Sequence, residues 1–233
     1  MSRREDILDG SKAERSAYGL VYTEVLGWIA LGHAQGNDIR QLWAQMLCGE
    51  AQSGLTYDVT YKQSMAGLKR RLTVGKSNTW RLKKGLSYHQ KQSIALSMMM
   101  TLARRFEGLQ NSFPFSWATD SGFSGEDLVS DLLGFYRVAA CMSGIFSYLK
   151  PVSQADALRR WDHYGKIGSW KNETFKPLLF PDPLQFPNAK PHFGQLPIFM
   201  RSVTPYNRWT SDDVGIIDPD RGFIHFGKGI SKL

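Results

Sequence analysis

Between Ala13 and Gly36 the apolar residues Val21, Val25, Trp28 and Ile29 recur at the spacing of one helix face. Gly19, Gly27 and Gly32 oppose this, each costing about 1 kcal/mol in a helix interior, but the spacing favours helix over strand. Asn37 or Asp38 can cap a second helix through Ile39, Leu42, Trp43, Met46 and Leu47, with Gly49 or Gly54 as its stop. Residues 13–54 are therefore expected to be helical. The rhythm then changes: Tyr57, Val59 and Tyr61 alternate with Asp58, Thr60 and Lys62, the period of a half-buried strand. Leu68 to Val74 and Thr79 to Leu82 flank the turn-rich Gly75-Lys76-Ser77-Asn78, which predicts a hairpin and a three-stranded meander over 55–85.

Ile94, Ala95, Met98, Met99, Leu102, Phe106 and Leu109 form one apolar stripe, predicting a helix from Ser87 to Gln110. After a Ser, Phe, Pro and Gly-rich loop at 111–123, the stretch from Ser124 to Leu149 is apolar all round and reads as the central buried helix. Membrane insertion of Leu132 to Leu149 is disfavoured by Arg137 and by the adjacent Asp131, since a span needs roughly 20 predominantly apolar residues. Pro151 ends that helix, and Ser153 to Tyr164 form a shorter one with Ala157, Leu158 and Trp161 inward. A proline-rich wrap follows over 165–206. Val214 to Ile217, the turn Asp218 to Gly222, and Phe223 to Phe226 predict a C-terminal hairpin. The expected fold class is α+β: a helix-dominated single domain over residues 1–233, with a basic β-meander and a C-terminal β-hairpin.

Composition narrows the function. With 42% hydrophobic and 21% charged residues in 233, the chain is neither disordered nor a disulfide mini-protein. Its 29 Lys and Arg against 21 Asp and Glu give a net charge of +8, which suits a polyanionic partner. The excess is local: no acidic residue lies between Asp58 and Glu107, where Lys62, Lys69, Arg70, Arg71, Lys76, Arg81, Lys83, Lys84, Lys91, Arg104 and Arg105 cluster. Cys48 and Cys141 lack any C-x-x-C pattern and are expected as buried free thiols, with no structural metal and no cofactor. Met1 to Gly10 lacks the apolar run of a Sec signal, so synthesis in the cytoplasm is expected, with any release through a machine that reads no cleavable leader.

The most reactive-looking stretch is Asp120 to Asp131, with four carboxylates and three hydroxyls at the mouth of the apolar helix. Helical spacing places Glu126 with Ser130 and Asp127 with Asp131. Burial can raise a carboxylate's pKa and make it a general acid at neutral pH, and two carboxylates about 5–9 Å apart would suit glycoside hydrolysis. Helix capping accounts equally for Ser124, Glu126 and Asp127. It does not account for Asp131, in the second turn. His33, in Leu31-Gly32-His33-Ala34, is either a core histidine bonded to a carbonyl or a general base or metal ligand meeting Glu126 or Asp131 across the core. Gly122-Phe123-Ser124-Gly125-Glu126 lacks the last glycine of a nucleophile elbow, and Gly227-Lys228-Gly229 is no phosphate loop. Among the tryptophans, Trp117 and Trp170 sit in loops and are candidates to line a sugar groove. Lys69, Arg71, Arg81 and Lys83 are candidates to hold an anionic polymer, with Trp80 and Tyr88 among the cations; nucleic acid, cell wall and anionic lipid would all feel that field.

Gly27-Trp28-Ile29-Ala30-Leu31-Gly32-His33-Ala34 and the segment from Ser121 to Tyr136, SGFSGEDLVSDLLGFY, resemble parts of a bacterial family associated with interbacterial toxin and type VI secretion effector neighbourhoods. The resemblance implies delivery into a rival cell, a target in its wall, membrane or nucleic acid, and an immunity protein as partner. It directs attention to His33, Glu126, Asp127, Ser130 and Asp131 together. The expectation is an antibacterial hydrolase of peptidoglycan using carboxylate acid/base chemistry. The alternatives are a basic nucleic-acid binder or nuclease-type toxin, and a non-enzymatic structural or adaptor protein of a phage or secretion particle.

Overall fold

The computed structural model describes residues 2–67, 72–110, 124–208 and 212–226. The α+β class holds, with five α-helices and two sheets among them. The chain forms two compact units, Met1–Asn37 with Phe123–Ser202 and Asp38–Gly122 with Val203–Leu233.

In the first unit, β1 (Leu20–Thr23) and β2 (Gly27–Ala30) form an antiparallel hairpin where helix was expected. All four β1 residues are buried, so the strand shows no alternation, and Val21, Val25, Trp28 and Ile29 fit a helical period by coincidence. The glycines that argued against helix bound the strands: Gly19 precedes β1, Gly32 follows β2, and Gly27, the first residue of β2, has φ 75°, where a Cβ would lie 2.1 Å from the Leu178 carbonyl oxygen. That contact is the parallel pairing of β2 with β5 (Leu178–Leu179), and β6 (His192–Phe193) completes the order β1-β2-β5-β6. The wrap at 165–206 thus supplies two short strands.

The expected central helix is two helices. α3 (Asp127–Ala139) is buried continuously from Leu128 to Tyr136, but the backbone turns left-handed at Cys141 and Gly144 before α4 (Phe146–Leu149). Among the described residues, no helix is long and apolar enough to cross a membrane. α5 (Gln154–Tyr164) is capped by Ser153, which accepts from the Asp156 amide. Its Ala157 and Trp161 join Tyr22, Trp28 and Phe180 in the core.

In the second unit, α1 (Asn37–Glu50) and α2 (Tyr88–Gln110) occur as expected. The strands are longer than expected: β3 (Thr56–Gly67), β4 (Leu72–Lys83) and β7 (Val214–Phe226) form one antiparallel sheet in the order β3-β4-β7. Gly75 to Asn78 is therefore strand, not turn, because β4 pairs along its whole length with β3. Asp218 to Gly222 likewise lies within β7, which pairs with β4 instead of folding back as a hairpin. Register sorts the faces. Tyr57, Val59 and Tyr61 stand opposite Leu82, Trp80 and Asn78, all buried, and α2 packs on this sheet. On the other face Asp58 stands opposite Arg81 and binds it through two hydrogen bonds of 2.8 and 3.0 Å. Gln45 of α1 bonds both the amide and the carbonyl of Thr60, occupying part of the exposed edge of β3. Both cysteines are exposed, not buried: Cys48 lies on the solvent face of α1 and Cys141 in the break after α3.

Candidate functional site

β2 ends at Ala30, and the chain turns through a short 3-10 segment, His33–Gln35, closed by Gly36 at φ 62°. α3 runs close against this turn because two glycines meet there. A Cβ on Gly134 would lie 2.8 Å from the His33 carbonyl oxygen and 2.9 Å from the Gly36 Cα. One turn before Gly134, Asp131 projects toward the imidazole, and Asp127 lies on the same face another turn back.

The result is a histidine held by two carboxylates. His33 Nδ1 is 2.8 Å from Asp131 Oδ1, and His33 Nε2 is 3.8 Å from Asp127 Oδ1. The His33 side chain is 50% exposed, Asp127 24% and Asp131 10%, so the ring is the group that meets solvent and the carboxylates stand behind and beside it. Desolvation by surrounding protein disfavours the charged ring, but Asp131 first, then Asp127 and Glu126, outweigh it and push the imidazole pKa up to about 10. Water on the exposed half of the ring screens part of that attraction. The direction is a ring that keeps its second proton at neutral pH.

Glu126, 1% exposed, is the interior member of the group. Burial and then the charge of Asp127 raise its pKa, against hydroxyl donors from Ser124 at 2.6 Å and Ser2 at 2.7 Å. Asp127 has two tasks. Its Oδ2 accepts from the Ser124 amide and hydroxyl at the start of α3, while Oδ1 faces His33. Capping and site geometry are thus carried by one carboxylate, whereas Asp131 pairs with the histidine the sequence singled out.

Ser130 is fully buried; it donates to the Glu126 carbonyl at 2.6 Å and accepts from the Ala30 amide at 3.0 Å. Its oxygen is a tie between α3 and β2, which removes it as a nucleophile. Arg137 makes a similar tie, donating to the Ala34 carbonyl at 3.0 Å.

The binding candidates disperse. Trp170 is half-buried, donates its indole N–H to the Tyr164 carbonyl and packs edge-on against Phe180, so its ring serves the core. Arg81 and Lys83 belong to the second unit and have acidic partners, Asp58 and, at 3.9 Å, Asp213. Lys91 is likewise paired, 2.7 Å from Glu50. Arg81, Lys83 and Lys91, from the window without acids in sequence, thus gain acidic partners through strand register and helix packing. Trp117, Lys69 and Arg71 lie outside the described residues. Among those described, no group of three or more His, Cys, Asp or Glu side chains is arranged to hold a metal ion.

No protein-family model matches the chain, and no curated protein or solved structure matches it either.

Sequence reasoning missed the positioning residues. Gly36 and Gly134 had no visible role until the turn and the helix met. Ser2 and Ser124 gave no sign that both would donate to Glu126. Arg160 was also missed: 3% exposed, it is stacked over Tyr22 and bound to Glu24 beside a cleft of about 630 Å³. A charged residue on the inward face of α5, one position before Trp161, was the available signal.

Proposed function

We propose that this chain is a hydrolase of bacterial cell-wall peptidoglycan, of the antibacterial-effector kind, with proton transfer centred on His33. The observation that carries the reading is the half-exposed imidazole bound at Nδ1 by Asp131, with Nε2 beside Asp127. A carboxylate at Nδ1 fixes the ring's orientation and stabilises its charged form, which leaves Nε2–H as the proton donor facing solvent. Asp127, partly exposed beside it, is placed to accept a proton from water. The carboxylates expected as acids thus take different roles: Asp131 orients the ring, Asp127 acts as base, and Glu126 is too buried to reach a polymer.

The wall as substrate is supported by the net charge of +8, which concentrates the protein on an anionic polymer, and by the resemblance to effector-associated proteins. Nucleic-acid binding gains less, since Arg81 and Lys83 already have acidic partners.

Purified sacculi incubated with the full chain test the reading. The wild type should solubilise them, and His33→Gln should lower the rate about 10²–10⁴-fold, the usual contribution of a general acid, with circular dichroism unchanged. Intact sacculi after exposure to folded wild type, or full activity in His33→Gln, would overturn it.

A further inference from the structure

We infer that the bond this site cleaves is an amide of the wall peptide and not a glycosidic bond of its sugar strand. The inference rests on the hydrolase reading above and on the spacing of the two exposed groups. Glycoside hydrolysis needs its two catalytic groups about 5–5.5 Å apart for retention or about 6.5–9.5 Å for inversion, flanking the sugar ring. Here His33 Nε2 and Asp127 Oδ1 are 3.8 Å apart and side by side. No sugar ring fits between them, and Glu126, at 1% exposure, cannot stand across a sugar from either.

Amide hydrolysis asks for the opposite arrangement. The attacking water and the departing nitrogen are bonded to the same carbonyl carbon, so base and acid must serve neighbouring atoms from one side. Asp127 Oδ1 takes a proton from water as the water oxygen bonds to the carbonyl carbon, and the C=O π pair moves onto oxygen. The lone pair then re-forms C=O, the C–N bond breaks, and the His33 Nε2 proton goes to nitrogen. The products are a carboxylic acid and an amine. The proton held by Asp127 returns to Nε2 and restores both groups. Throughout, Asp131 keeps Nδ1 in place, as a positioning residue.

Product analysis of digested sacculi tests this apart from the parent reading. Free amino groups and reducing sugar ends are counted in the soluble fraction, and the fragments are identified by mass spectrometry. The expected result is a rise in amino groups with no rise in reducing ends, reduced at least about 10²-fold in His33→Gln and in Asp127→Asn. Asp127→Asn keeps an oxygen to accept from Ser124, so the start of α3 is preserved. New reducing ends without new amino groups would overturn the amide assignment while leaving a wall hydrolase. No soluble product from folded wild type would overturn both.

Discussion

His33 is the residue on which charge, exposure and orientation converge, and its environment makes a signed prediction. A histidine whose folded pKa lies above its ordinary 6.5 stabilises the fold most below that value, and the contribution is lost as pH rises toward about 10. The stability gap between wild type and His33→Gln, measured by urea unfolding, should therefore be widest near pH 6 and close by pH 10. Ser130 makes the contrasting case. Removing its hydroxyl leaves the Ala30 amide without its acceptor, so Ser130→Ala should cost about 1–3 kcal/mol in unfolding free energy while the folded protein keeps its hydrolytic rate. A rate loss as large as that of His33→Gln would restore Ser130 as a chemical participant. That Asp131 needs a partner was legible in the sequence, because a carboxylate in the second turn of an apolar helix is not served by capping, but its partner was not, since His33 read either as a core histidine bonded to a carbonyl or as one meeting Glu126 or Asp131. The half-exposure of the ring was not legible, since it depends on how the turn after β2 lies against α3.

At the scale of elements, the site exists because Gly36 and Gly134 let a turn and a helix touch. Gly134→Ala forces a methyl group to 2.8 Å from a backbone oxygen, which flexible side chains cannot relieve. It should destabilise by about 1–3 kcal/mol and widen the separation of His33 and Asp131, lowering activity even in the folded fraction. A variant with wild-type melting temperature and rate would mean that the two backbones are not held together. Where element and local pattern differ, the causes are physical. β1 is buried on both faces and carries no alternation. Gly75 to Asn78 has turn composition but lies opposite Tyr61 to Ser64, where pairing outweighs local preference. The break after α3 occurs at Cys141, a residue type that gives no warning of a left-handed backbone.

At the scale of the whole molecule, the α+β class was legible from the change of period near Tyr57 and from the apolar stripes of α1 and α2. The joining of β7 to β4 was not: it links residues far apart in sequence, and pattern alone does not distinguish a long strand from a hairpin with Asp218 to Gly222 as its turn. The charge map changes in the same way, because folding sets Asp58 against Arg81. That pair is exposed, so a double-mutant cycle on Asp58→Ala and Arg81→Ala should give a weak coupling that shrinks with salt. A larger, salt-insensitive coupling would mark the pair as a structural lock.

The proposed chemistry at this site requires a charged imidazole held by Asp131. The most direct measurement is an NMR titration of the His33 ring in the wild type and in Asp131→Asn. The wild-type ring should stay protonated well above pH 6.5, approaching about 10, and the variant should titrate lower. A wild-type His33 that loses its proton at or below pH 6.5, unchanged by Asp131→Asn, would contradict it.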